Sequence, residues 1–149
     1  MYNICLRIVR DEASAEDVLQ ESFINAFKNL DSYRGDSAFG AWLKRIVVNK
    51  SLTHLSKRKL ERMPEGTHFD VMIEEQDDFE GFPLTVETVK AAILQLPDGY
   101  RTVLSLYLLE GYDHEEIAQV LGISESTSKS QFSRSKKKLL AILKQEEYE

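Results

Sequence analysis

Asp113-His-Glu-Glu-Ile-Ala-Gln-Val-Leu-Gly-Ile-Ser-Glu-Ser-Thr-Ser128 is the stretch that decides how this chain folds. A short helix runs to Leu121, and Gly122 supplies a left-handed turn that a side chain would disfavour. Ile123 plugs the corner and Ser124 caps the helix that follows. Ala118 is small at the point where the two helices cross. This is helix-turn-helix spacing, in which the second helix enters a DNA major groove N-terminus first. That helix divides into two faces, with Phe132, Leu139 and Leu143 on one and Thr127, Ser130, Arg134 and Lys137 on the other. Serine and threonine hydroxyls bond phosphates or base edges, and arginine engages guanine through two bonds. Taken alone, the stretch also fits an ordinary helical hairpin with a solvated basic face.

Working outward, helical periodicity dominates both ends. Upstream of the motif it resumes at Val86, breaks at Leu96-Pro97-Asp98 and continues in a new helix through Leu109. Near the N-terminus, Val18, Leu19, Phe23, Ala26, Phe27 and Leu30 define one helix face starting at Ala15, with Ser14 and Asp17 as a capping pair. Leu30 to Ser37 is turn chemistry, and Asp36 or Ser37 is expected to cap the next helix. That helix should bury Phe39, Trp42, Leu43, Ile46 and Val47, leaving Arg45, Asn49, Ser56 and Lys59 as a polar and basic stripe. From Glu61 to Pro83 the pattern is lost among Pro64, Gly66, Gly81 and the run Glu74-Glu-Gln-Asp-Asp78, which predicts a tether extended by its own charge. No strand alternation appears. The expected fold is all-α, with two small helical domains (residues 1–60 and 85–149) joined by an acidic flexible linker (61–84), the second domain being the helix-turn-helix.

Composition agrees. Of 149 residues, 42% are hydrophobic and 30% charged, which marks a water-facing globular chain. No apolar run approaches the roughly 18 residues of a membrane span. The lone Cys5 excludes an internal disulfide or a cysteine zinc cluster, and beside Ile4, Ile8 and Val9 it reads as a buried small hydrophobe. The net charge of −6 sits in the middle: residues 61–89 hold nine acids against one arginine, whereas residues 1–60 hold ten bases against seven acids. Lys129 to Lys144 holds six bases and no acid. His114-Glu115 lacks the second histidine of a zinc-protease motif, and no phosphate loop, catalytic dyad or metal cluster is visible. These absences predict a chain that is not an enzyme, with no cofactor, metal or small-molecule substrate.

Two separated blocks resemble the extracytoplasmic-function sigma factors, promoter-recognition subunits of bacterial RNA polymerase. The first is Ala15-Glu-Asp-Val-Leu-Gln-Glu-Ser-Phe23, Tyr33-Arg-Gly-Asp-Ser-Ala-Phe39, Trp42-Leu-Lys-Arg-Ile46 and Asn49. The second is Leu96-Pro97, Tyr100-Arg101, Glu116-Ile-Ala118, Leu121-Gly122 and Thr127 to Arg134. The resemblance implies that Asp17, Gln20 and Glu21 dock on core RNA polymerase. It implies that Tyr33, Arg34, Asp36, Ser37 and Phe39 capture a flipped base of the minus-ten element, while Arg45, Asn49, Lys57 and Arg58 track the opening strand. Thr127, Lys129, Ser130, Gln131, Ser133, Arg134 and Lys137 would face the minus-thirty-five duplex. It further implies promoter DNA and an anti-sigma factor, often membrane-anchored, as partners, and a cytoplasmic location.

The chain departs from the family pattern in two places. Ser126-Thr-Ser-Lys-Ser-Gln131 stands where the family often has Gly-Thr-Val-Lys-Ser-Arg, so Ser128 replaces an apolar corner residue and Gln131 an arginine. Family members also normally carry a helix ahead of the position matching Tyr2. Without it, Ile4, Cys5, Ile8, Val9, Val18, Phe23 and Phe27 are expected to form a partly wet surface. The alternative reading is a free-standing dimeric helix-turn-helix regulator, for which the Asp17-x-x-Gln-Glu block would have no use.

Overall fold

The computed structural model describes residues 1–62 and 85–147, and over that span the chain is all-α. The helices in order are α1 (Tyr2–Val9), α2 (Glu12–Lys28), α3 (Phe39–Arg62), α4 (Val86–Leu94), α5 (Asp98–Leu108), α6 (His114–Leu121) and α7 (Glu125–Glu147). A 3-10 turn covers Leu30–Ser32, and there is no strand among the described residues. The linker expected over residues 61–84 lies outside the described residues from position 63 onward. No helix among those described is long and apolar enough to cross a membrane.

Helix starts in the first unit differ from expectation. α2 begins ahead of Ala15, because Asp11 takes the N-cap position and its carboxylate accepts from the Ser14 amide at 2.8 Å. Aspartate is among the strongest N-caps. Arg10, at φ 65°, has just closed α1 by donating its amide to the Leu6 carbonyl at 2.8 Å, so the chain reverses within two residues. At α3 the first backbone bonds go to the Ala38 carbonyl, from Ala41 at 2.9 Å and Trp42 at 3.1 Å. The cap position therefore falls on Ala38 and not on Asp36 or Ser37.

The buried faces also shift. α2 buries Ala15, Val18, Ser22 and Ala26, small side chains that let it lie close to its neighbours, while Phe23 and Leu30 are exposed and Phe27 is 73% exposed. The Ser22 hydroxyl is satisfied by the Val18 carbonyl at 2.7 Å. α3 buries Leu43, Val47, Val48, Ser51 and Leu55, whereas Phe39 is exposed and Trp42 and Ile46 are half-buried. On α1, Ile4, Cys5, Ile8 and Val9 are all buried rather than wet. What covers them is the rest of their own unit together with α5 from the second unit. Burial also pushes the Cys5 thiol pKa up.

α5 is the hub. Val103 and Leu106 join the core of the first unit, together with Tyr112 and Ile117, while Leu104 joins a second core with Ala92, Ile93, Leu96, Leu139 and Leu143. Each large apolar side chain so enclosed contributes about 1.5–3 kcal/mol. At this junction the Arg101 guanidinium is 0% exposed. It donates to the Ile8 carbonyl at 2.8 Å, the Leu96 carbonyl at 2.9 Å, the Arg7 carbonyl and the Asp98 carboxylate. Two of those acceptors are carbonyls at the C-terminal end of α1, where the helix has unpaired acceptors and a partial negative charge.

Candidate nucleic-acid interface

The helix-turn-helix is built as its sequence predicts. Asp113 caps α6 by accepting from the Glu116 amide at 2.8 Å, and the Glu116 carboxylate accepts from the Asp113 amide at 3.3 Å, a complete capping box. Gly122 turns the corner at φ 68°, and the Ile123 amide bonds the Ala118 carbonyl at 3.1 Å. Ser124 Oγ accepts from the Thr127 amide at 3.0 Å, which fixes the start of α7.

The rotation of α7 about its axis is set by a pair the sequence reading did not connect. Ser128 is fully buried, and its Oγ lies 2.9 Å from His114 Nδ1. The imidazole stacks on Tyr107 at 4.6 Å and meets Phe132 at 5.7 Å, so three rings from three helices brace one another. Desolvation lowers the His114 pKa, with Lys129 adding to the effect, and this favours the neutral ring. A buried serine where an apolar residue would serve thus has a half-buried partner.

With Ser128 turned inward and about 100° between successive residues, Ser130, Ser133, Arg134 and Lys137 fall on the opposite side. Thr127 and Lys129 are exposed and flank them, while Arg134 and Lys137 are partly covered and also interact within the chain. Gln131 does not join this fan. It sits near Ser128 in helical phase and its Oε1 faces Gly99 on α5, 3.9 Å from where a Cβ would stand. Gln131 and Thr127 line a cleft of about 580 Å³ whose other wall carries Asn49, Thr53 and Ser56 of α3.

In the first unit, Asp17, Gln20 and Glu21 are exposed and share one face of α2. Ile24 and Phe27, both exposed, continue that row as apolar neighbours. Arg34, Asp36 and Ser37 are exposed in the loop before α3, where Gly35 has φ 79° and the Tyr33 hydroxyl donates to the Ser37 carbonyl at 2.6 Å. Tyr33, Phe39 and Trp42 cluster, with ring centroids 5.4–5.5 Å apart, so Phe39 and Trp42 belong to a surface aromatic group rather than to the core. Arg45, Asn49 and Lys57 are exposed along α3, and the Arg58 side chain lies outside the described residues.

Residues 1–61 match the family described as Sigma-70 region 2, and residues 87–139 match Sigma-70, region 4. The chain is 35% identical to the RNA polymerase sigma-H factor of Pseudomonas aeruginosa, over 91% of this chain and 76% of that protein. It is 31% identical to the ECF RNA polymerase sigma factor SigW of Bacillus subtilis, over 93% of this chain and 80% of the relative. Among solved structures, it resembles the sigma factor RpoE in complex with the anti-sigma factor NepR from Bartonella quintana. The TM-score is 0.65 at 25% identity, covering 96% of this chain and 89% of that one. The structure of CnrH in complex with the cytosolic domain of CnrY is also similar, with a TM-score of 0.55 at 25% identity over 96% of this chain and 79% of that one. Two sigma regions in order on one helical chain, with relatives that match most of its length, establish that the chain belongs to the extracytoplasmic-function group of the sigma-70 family, the promoter-recognition factors of transcription initiation.

Proposed function

We propose that this sigma factor binds core RNA polymerase through Asp17, Gln20 and Glu21, and reads the minus-ten element with the Tyr33–Phe39 loop and the exposed row Arg45, Asn49, Lys57 and Arg58. Ser130, Ser133, Arg134 and Lys137 read the minus-thirty-five duplex, with Thr127 and Lys129 at its flank; Gln131 takes part only if the cleft beside it opens. Residues 1–60 and 85–149 act as the two reading domains and 61–84 as the acidic linker between them. The chain works without catalytic chemistry of its own, in the cytoplasm where polymerase is, and an anti-sigma factor holds it in check. Both similar solved structures are complexes, RpoE with NepR and CnrH with the cytosolic domain of CnrY, which supports the last point.

The observation that carries the reading is the exposed Asp17, Gln20, Glu21 face on the same chain as a pinned helix-turn-helix. A free-standing dimeric regulator would need no such face. Capture of core polymerase by the tagged chain tests it. Replacing Gln20 and Glu21 by alanine is expected to weaken capture by about 1–3 kcal/mol without loss of helicity, because neither side chain is buried. Unchanged capture by the double variant would move the assignment off α2.

A further inference from the structure

We infer that His114, which lies outside the recognition helix, is a positioning residue for promoter choice. Through Ser128 it seats the N-terminal half of α7 and so decides which base edges Ser130, Ser133 and Arg134 can reach. This role rests on α7 being the duplex-reading helix.

α7 is anchored at two places. Toward its C-terminal end, Leu139 and Leu143 enter the core formed with Ala92, Ile93, Leu96 and Leu104. Toward its start, Ser128 is the one residue between Glu125 and Arg134 that is fully buried, and its Oγ lies 2.9 Å from His114 Nδ1. The imidazole is held in turn. It stacks on Tyr107 of α5 at 4.6 Å, and Tyr107 meets Phe132 of α7 at 4.4 Å. Lys136 Nζ stands 5.0 Å over the same Phe132 ring. The seat of α7 near its start is therefore fixed from α5 and α6, not by any residue of the reading row.

The lever arm makes this seat matter. From Leu139 back to Ser128 the helix runs about 16 Å. With the Ser128 anchor lost, a swing of about 10° about Leu139 carries Ser130 by about 2 Å and Arg134 by about 1 Å. Hydrogen bonds to base edges hold only over a heavy-atom window of about 2.7–3.2 Å, so shifts of that size break them. Long lysine side chains follow their phosphates through the same shift. Sequence choice is thus lost before affinity is.

The hydrogen bond also sets a depth that an apolar corner residue does not. A methyl group in place of the hydroxyl would stand off from the ring at about 3.5–4.0 Å, so the Ser128–His114 contact draws the start of α7 toward α6 by up to about 1 Å. It is directional as well, which a methyl contact is not. The exchange of an apolar corner residue for serine therefore changes where the reading row stands, although residue 128 itself faces away from the duplex.

The test uses holoenzyme reconstituted from the full chain and core RNA polymerase, transcribing a promoter library randomised across the minus-thirty-five element. Each variant is read for its preferred sequence, its total transcription and its thermal stability. His114→Phe keeps a ring in the stack and removes Nδ1, while Ser128→Ala removes the hydroxyl. Either is expected to lower discrimination at the bases facing Ser130, Ser133 and Arg134 by about fivefold or more, with total transcription changed less. The double variant should lose no more than the worse single one, since both remove the same contact. His114→Asn carries a polar atom close to the Nδ1 position and is expected to restore the parental preference to within about twofold. Asp113→Ala, which loosens the start of α6, should lower stability and leave the preference alone. Unchanged discrimination in both His114→Phe and Ser128→Ala would overturn the role. So would discrimination that falls in step with stability across the whole set, Asp113→Ala included, because the pair would then only hold the fold together. A parent that transcribes nothing, or every sequence alike, fails as a promoter reader, and the role falls with that reading.

Discussion

The corner between α6 and α7 and the loop between α2 and α3 each hang on a glycine with positive φ, Gly122 at 68° and Gly35 at 79°. They are otherwise built in opposite ways. The corner is fastened by a capping box, a serine cap, the part-buried His114–Ser128 contact and a three-ring brace. The loop has exposed side chains, one Tyr33–Ser37 hydrogen bond and an aromatic cluster at its edge. The difference fits the tasks proposed for them. A helix is used on a duplex as a rigid body, so its pitch must be set beforehand, whereas an unstacked base is held by aromatic and polar groups that close around it.

Substituting both glycines gives the sharpest contrast. A side chain at either position meets no steric neighbour, so only backbone strain differs. Gly122→Val is expected to cost about 1–2 kcal/mol in a urea titration, because the corner cannot relax. Gly35→Val should cost clearly less, because the exposed loop can. Equal losses would show the loop to be as constrained as the corner. Next in size, Asp113→Ala removes the acceptor of the capping box and should cost about 1 kcal/mol, with Asp36→Ala as a near-silent control.

His114→Ala and Ser128→Ala, combined in a double-mutant cycle, should show a coupling of about 1 kcal/mol or less. The same pair carries a pH dependence. The folded-state pKa of His114 lies below its unfolded value, so its contribution is complete above the ordinary imidazole range. It is lost as pH falls from there through the lowered value. A His114→Phe variant should flatten that part of the stability profile, and an unchanged profile would assign the titration elsewhere. Smallest of all, Tyr33→Phe removes only the exposed hydrogen bond to Ser37 and should change stability by no more than about 0.5 kcal/mol. A larger loss would mean that the loop is pinned after all.

How much was legible beforehand tracks how local each feature is. Gly122, Ser124 and the Leu96-Pro97-Asp98 break are decided within a few residues and stand where the sequence puts them, whereas α2 starts ahead of Ala15 and α3 is capped at Ala38. The buried face of α2 is not local. Phe23 and Phe27 look like core, yet the small row Ala15, Ser22 and Ala26 lets α2 pack closely, and exposed aromatics are permitted by the surface. The family resemblance puts Gln131 beside Arg134 at the duplex, although helical phase turns it toward Gly99. Arg101 and Glu110 carry charges that ordinarily face water. Only the meeting of distant helices shows them to be buried at a junction.

That meeting also sets a clock on assembly. Arg101 bonds to a carbonyl 94 residues earlier, and Arg7 pairs with an acid 103 residues later, while the helix contacts inside each unit are far shorter in sequence. Short-range helical contacts form first, and the junction waits for the widest loop to close. During synthesis at about 5–20 residues per second, α1 is complete about 5–20 s before α5 can cover it. Throughout that interval Ile4, Cys5, Ile8 and Val9 lack the cover that α5 gives them in the folded chain. The nascent chain is adhesive at α1 for that time, and a chaperone or a slowed ribosome would act by shielding this helix until α5 arrives.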